Sequence, residues 1–281
     1  MHPLFVVDRG RGAPVLFVHG QPGLGGDWDQ VAGRLGDHRT LIVDRPGYGG
    51  SGDGTLSMEA NAEVLADLLV ERHAAPATVV GHSYGGGIAI LLAARRPELV
   101  AGLVLAASVG MADNVTALDH VLAFPVLGEA LSAVGLFALG RVLPPLRTVA
   151  GHRSHPALRW LRATLPDDSY DVVSSARGRR VWRSFVAEQR TLLHEIDAVE
   201  AALASVQAPT VVVSGRWDVV VAPSVAARVA GAVPGAELVR VPDAGHFLPR
   251  DAPDAVAAAV RRVEGNARRA RVAGAEGGTG A

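Results

Sequence analysis

Three side chains far apart in the chain are of the types that together drive nucleophilic attack on a carbonyl: Ser83, Asp218 and His246. A serine hydroxyl is a weak nucleophile until a base takes its proton. An imidazole takes it only when the right nitrogen faces the hydroxyl, and a carboxylate on the other nitrogen holds that tautomer and stabilises the imidazolium. Ser83 stands in Gly81-His82-Ser83-Tyr84-Gly85, between the strand-like run Thr78–Val80 and the apolar helical stretch Gly85–Arg95. Glycines two residues to either side leave room for a tight strand-to-helix turn that lifts an exposed hydroxyl above a sheet, with a helix N-terminus behind any developing oxyanion. In a chain with 33 glycines the pattern alone is weak. Its context and its partners carry it.

Asp218 lies just beyond the run Thr210–Ser214, through Gly215-Arg216-Trp217, at the kind of strand end where α/β sheets assemble ligand sites. His246 follows Glu237–Val241 through Pro242-Asp243-Ala244-Gly245, in a loop before the last helical stretch. Asp113, beyond Gly102–Ala106, is the alternative acid, and Asp243 is a turn residue beside the base. Val15–Val18 runs into His19-Gly20-Gln21-Pro22-Gly23, a glycine-rich turn that can aim a backbone N–H at the space above Ser83; the expected oxyanion donors are the N–H groups of Gln21 and Tyr84. His19 and His82, each fixed at a strand end beside glycine, read as structural.

These residues need elements to hold them. Short β-branched runs bounded by Gly, Pro or Asp recur at Val15–Val18, Thr40–Val43, Thr78–Val80, Gly102–Ala106, Thr210–Ser214 and Glu237–Val241, with Leu4–Val7 as an antiparallel edge. Helical stretches lie between them at Trp28–Leu35, Met58–His73, Gly85–Arg95, Ser224–Ala232 and Pro253–Val263. The alternation predicts an α/β chain with a doubly wound, mostly parallel sheet. The rhythm breaks from Met111 to about Ser205, where prolines divide helical pieces and no strand run appears. The expected organisation is a core over residues 1–110 and 206–265, an inserted helical cap or lid over 111–205, and a disordered tail over 266–281 that is rich in Gly, Ala and Arg and lacks apolar period.

Composition narrows the function. At 281 residues and 49% hydrophobic content the chain can bury a sizeable core, and a net charge of −1 gives no reason to expect a nucleic-acid partner. Cysteine is absent, and all 27 basic residues are arginine, which removes a cysteine nucleophile, thiolate metal sites and a Schiff-base lysine. No His/Asp/Glu cluster has evident ligand spacing, so neither metal nor cofactor is expected. Val121–Gly140 is almost wholly apolar, but Pro125, Gly128, Glu129 and Gly135 interrupt it, and a lid over an apolar pocket fits better than a membrane span. Within Val121–Leu146 the surplus apolar residues Leu122, Phe124, Val126, Leu127, Leu131, Val134, Leu136, Phe137 and Leu139 call for a ligand or a homo-oligomer partner. From Arg141 to Arg190 the cap is locally basic, either as solvated faces or to hold a substrate carboxylate. Met1–Asp8 has no secretion-signal pattern, and a cytoplasmic location is expected.

The motifs HGQPG, DRPGYGGS at Asp44–Ser51, GHSYGG, SGRWD and AGHF together resemble the α/β-hydrolase superfamily, in particular its cofactor-independent members with a helical cap, over roughly Val15–Ala106 and Ala208–Val263. The resemblance implies the α/β-hydrolase fold and a Ser83–His246–Asp218 triad, with Asp44 and Arg45 as structural residues. It implies hydrolysis of an ester, lactone or related acyl bond in a small, mainly apolar substrate through a Ser83 acyl-enzyme. C–C bond hydrolases, acyltransferases, lyases and low-turnover ligand-binding proteins share the same shape, which fold and triad do not separate. Relatives with an aspartate nucleophile are disfavoured by Ser83.

Overall fold

In the apolar runs, alternate residues face opposite sides of one sheet, and both sides are covered. Leu16, Val18, Leu41, Val43, Val79, Leu103, Leu105 and Val212 belong to one buried cluster, and their neighbours Val15, Phe17, Ile42, Val80, Val104, Val211 and Val213 to another. A strand buried on both faces must be apolar throughout, which is why these segments show no polar alternation. The computed structural model describes residues 4–52, 54–137 and 181–277.

The strands are β1 (Phe5–Gly10), β2 (Pro14–Val18), β3 (Arg39–Asp44), β4 (Ala77–His82), β5 (Val100–Ala106), β6 (Thr210–Gly215) and β7 (Glu237–Val241), in the sheet order β1-β3-β2-β4-β5-β6-β7. All neighbours are parallel except β1, which is antiparallel to β3. The edge strand therefore pairs with β3 and not with β2, to which the chain leads directly.

Helices α1 (Asp29–Gly33), α2 (Met58–Glu71) and α3 (Tyr84–Arg95) fall before β5, and α4 (Ala117–Ala123), α5 (Leu127–Phe137) and α6 (Val181–Ala202) between β5 and β6. The chain closes with α7 (Pro223–Ala232), α8 (Leu248–Asp251) and α9 (Pro253–Gly277). Helices α2, α3, α6 and α7 contribute Leu65, Ile88, Ile196 and Val229 to the first cluster, whereas α1 and α9 contribute Val31 and Val260 to the second. This is the doubly wound arrangement expected of alternating strands and helices.

The inserted helices are tied to the core by α6. Its buried stripe holds Val181, Val186, Leu192, Ile196 and Val199. Glu195 Oε2 accepts the N–H of Met58 at the start of α2 at 2.7 Å, and Glu200 Oε2 accepts that of Ala112 at 2.6 Å. The apolar stretch ahead of α6 is broken into α4 and α5, bent by 108° at Phe124–Val126, and among the described residues no single helix is long and apolar enough to cross a membrane. Leu139 and the rest of the segment to Leu146, with most of the basic run that starts at Arg141, lie outside the described residues.

The C-terminal helix departs from expectation. The end of the apolar period at Val263 predicted a tail without order, yet α9 continues to Gly277. Alanine and arginine favour helix without needing a buried face, Glu264 pairs with Arg268 one turn on, and Asn266 Nδ2 donates to Glu237 Oε1 at 2.7 Å. Residues 278–281 lie outside the described residues.

Candidate active site

Ser83 caps the N-terminus of α3 with φ 52° and ψ −121°, a conformation that L-residues rarely adopt. The surrounding backbone fixes it: Ser83 N–H donates to Ala106 O at 3.1 Å, and Ser83 O accepts from Gly86 N at 2.9 Å and Val109 N at 3.2 Å. The two glycines of the motif are required by close approach. A Cβ on Gly81 would lie 2.5 Å from Gly85 O, and one on Gly85 would collide with the carbonyl oxygens of Val18 and His19. Ser83 is only 5% exposed, so the turn does not leave it on an open surface as expected; the loop at Gly20 covers it.

The structure brings the three predicted side chains together. His246 Nε2 stands 3.1 Å from Ser83 Oγ, and His246 Nδ1 stands 3.1 and 3.0 Å from the two oxygens of Asp218. A carboxylate only accepts, so Nδ1 carries the proton and the Nε2 lone pair faces the serine. Asp218, whose side chain is fully buried, is oriented by two further donors, Val220 N at 2.9 Å and Val221 N at 2.8 Å, both to Oδ1. Asp113, the alternative acid, is exposed and pairs with Arg228 of α7, and His246 has its carboxylate partner in Asp218 instead.

His82 and His19 have distinct supporting positions. His82 Nε2–H donates to His246 O at 2.8 Å, holding the backbone of His246. His19 Nδ1–H donates to Gly20 O at 2.8 Å, and its Nε2 accepts the N–H of Arg45 at 2.9 Å. Burial, helped by the nearby His246, pushes His82 down to about 3, and burial, helped by Arg45, holds His19 well below the usual histidine range. Both are neutral in the folded protein and protonate near pH 6.5 when unfolded, so their contribution to stability is complete above that pH and is lost as pH falls toward about 3 for His82. The loss is about 1.4 kcal/mol per pH unit for each. Urea midpoints should therefore fall between about pH 7.5 and about pH 5, and His82→Gln, which keeps an N–H for His246 O but takes no proton, should remove roughly half of the fall. An undiminished fall in that variant would contradict the assignment.

Beside the site lies a buried ion pair that no sequence motif marks. Arg45 and Glu188 are both 0% exposed; Arg45 Nη1 pairs with Glu188 Oε1, Nη2 donates to Oε2 at 3.1 Å, and Tyr48 Oη donates to Oε2 at 2.7 Å. Burial pushes the Glu188 carboxyl up against the pull of Arg45. Glu188 interrupts the buried stripe of α6 at a position seven residues after Val181, and a charge on an apolar stripe was the available signal. Asp44 proves structural as well: its Oδ1 accepts Gly25 N and its Oδ2 Gly50 N, each at 2.8 Å.

Among the described residues no acceptor takes the N–H of Gln21 or of Tyr84. A cleft beside the histidine is lined by Gln21, Pro22, His82, His246, Phe247 and Arg250. Gln21 Nε2 donates to Gln189 Oε1 at 3.3 Å, and Gln189 Nε2 to Asp119 Oδ1 at 3.5 Å, a chain that joins the turn after β2 to α6 and α4. The apolar residues Phe124, Val126, Leu127, Leu131 and Val134 around the α4–α5 bend are exposed. No group of three or more potential metal ligands occurs among the described residues.

The family model described as "Alpha/beta hydrolase family" matches residues 15–259. A pimeloyl-(acyl-carrier protein) methyl ester esterase of Nitrosomonas europaea is 30% identical over 259 residues, 88% of this chain and 93% of that protein. A 2-hydroxymuconate semialdehyde hydrolase of Pseudomonas sp. is 28% identical over 250 residues, 85% of this chain and 82% of that protein. Among solved structures, a thermophilic esterase from Thermogutta terrifontis matches with a TM-score of 0.69 at 24% identity, covering 94% of this chain and 93% of that one, a likeness of fold.

Proposed function

Because this chain belongs to the alpha/beta hydrolase family, we propose that it is a serine hydrolase that cleaves an ester, lactone or related acyl bond of a small, mainly apolar substrate through an acyl-enzyme on Ser83. The observation that carries the proposal is the hydrogen-bonded chain from Ser83 Oγ through His246 to Asp218. Ser83 Oγ attacks the carbonyl carbon while His246 Nε2 takes its proton, and the N–H groups of Gln21 and Tyr84 receive the oxyanion. Collapse expels the alcohol, which leaves with the proton from His246. Water, deprotonated by the same nitrogen, then attacks the acyl-enzyme, and the acid departs as Ser83 regains its proton. Asp218 stays ionised throughout. The relative named as a methyl ester esterase supports this reading.

A second reading, hydrolysis of a C–C bond next to a carbonyl, is favoured by one observation: the relative named for 2-hydroxymuconate semialdehyde has a substrate that by its name holds no ester. Product analysis separates the two.

The exposed apolar side chains around the α4–α5 bend support an apolar acyl or alkyl site beneath the inserted helices. Each substrate methylene buried there contributes about 0.8 kcal/mol. Across p-nitrophenyl esters from acetate to octanoate, kcat/KM should climb by up to about fourfold per methylene. Absence of p-nitrophenol release would overturn the hydrolase reading, and a flat or falling series the apolar roof alone.

A further inference from the structure

The guanidinium of Arg45 spends its donors in an unusual way. Besides Glu188 it serves two successive carbonyls of the turn after β2: Nε donates to His19 O at 2.9 Å and Nη2 to Gly20 O at 3.0 Å. Gly20 O also accepts His19 Nδ1–H at 2.8 Å. The peptide joining Gly20 to Gln21 is thus pinned through its oxygen by two donors. In a trans peptide the N–H points opposite to the C=O, so pinning Gly20 O on the buried side turns the N–H of Gln21 to the other side. Ser83 is next to this peptide, since a Cβ on Gly20 would come within 3.0 Å of Ser83 Cβ.

Arg45 can stay there only if its charge is matched. It lies between the rings of Tyr48 and Tyr84, 5.0 Å from each centroid, with no exposed surface. A guanidinium buried to this degree without a counter-charge is strongly destabilising. Glu188 supplies that charge from α6, and the next residue of the same helix, Gln189, takes the side-chain amide of Gln21. One turn of this helix therefore reaches Gln21 by two routes, through Arg45 to its peptide and through Gln189 to its side-chain amide.

We propose that Arg45 is a positioning residue for the peptide that presents the Gln21 N–H to the oxyanion, and that Glu188 on α6 is the counter-charge that keeps it there, so the inserted helices and the oxyanion donor are set by one ion pair. This rests on the reading of Ser83 and Gln21 given under the proposed function. A purely architectural ion pair would need no particular alignment with one peptide. A positioning role shows itself in the transition state, where the oxyanion forms, and leaves ground-state binding alone.

The test uses the full chain with p-nitrophenyl acetate, an aryl trifluoromethyl ketone that adds Ser83 Oγ to give a tetrahedral oxyanion, and the matching methyl ketone as a ground-state ligand. In Glu188→Gln, kcat should fall about tenfold or more with KM within about twofold, by analogy with loss of an oxyanion donor. Affinity for the trifluoromethyl ketone should fall by the same factor as kcat/KM, while that for the methyl ketone is kept. Should Glu188→Gln fail to fold, the double variant Arg45→Met, Glu188→Met removes both charges at similar volume, and its kcat should be down by at least the same factor. Recovery of wild-type kcat in either folded variant, or a rise in KM with kcat kept, overturns the proposal while leaving the serine mechanism standing. A wild-type chain that neither turns over the ester nor binds the trifluoromethyl ketone overturns both.

Discussion

Ser83→Ala should fold like the wild type and lose turnover by about 10³-fold or more. The fold survives because alanine occupies the φ 52° conformation no worse than serine, and the backbone hydrogen bonds that hold the turn involve only the main chain of residue 83. The side chain's hydrogen bond to His246 Nε2 is worth about 1 kcal/mol. Chemistry, by contrast, loses its nucleophile. What remains is water positioned by His246 and the two backbone donors, which in this type of site keeps a small part of the rate enhancement. The measurement is kcat/KM on p-nitrophenyl acetate beside a thermal melt. A variant with unchanged melt and activity within about tenfold of wild type would remove Ser83 from the mechanism.

The second large effect is expected at Asp218. In Asp218→Asn the amide keeps an oxygen for the N–H groups of Val220 and Val221, and its nitrogen then faces His246 Nδ1 as a donor. The imidazole answers by carrying its proton on Nε2, toward Ser83, where no base is left. In the serine protease template this change costs about 10⁴ in kcat, and a loss of that order is expected here. Asp113→Asn should stay within about twofold, since Asp113 is exposed and its partner is Arg228 on a different helix. If the two variants exchanged behaviour, the carboxylate that orients His246 would come from the segment after β5.

The site was legible where its signals are local. Ser83 is framed by glycines that the strand-to-helix turn cannot do without, and Asp218 and His246 each end a strand-plus-loop unit whose punctuation is visible in a dozen residues. The sheet was legible for the same reason. What stayed hidden depends on partners distant in the chain. Glu188 is 143 residues from Arg45, and although its charge stands out on the buried stripe of α6, nothing local identifies Arg45 as its partner. Arg45 could be recognised as structural from its motif, but not as the donor to His19 O and Gly20 O. The pairing of β1 with β3 depends on where the chain crosses the sheet, which periodicity does not encode. The continuation of α9 past Val263 rests on helix propensity and a few polar contacts, which apolar period does not carry. His82 reads as structural at a strand end, but only the folded chain shows that it donates to the carbonyl of His246.

The most direct test of the account is covalent labelling. The full-length chain is incubated with a fluorophosphonate, and the adduct is located by mass spectrometry of the digested protein. The geometry of Ser83, His246 and Asp218 predicts one adduct per chain, carried by the peptide containing Ser83, with the labelling rate falling steeply in Asp218→Asn. An adduct on a different serine, or an unlabelled Ser83 in a chain that still hydrolyses esters, would contradict it.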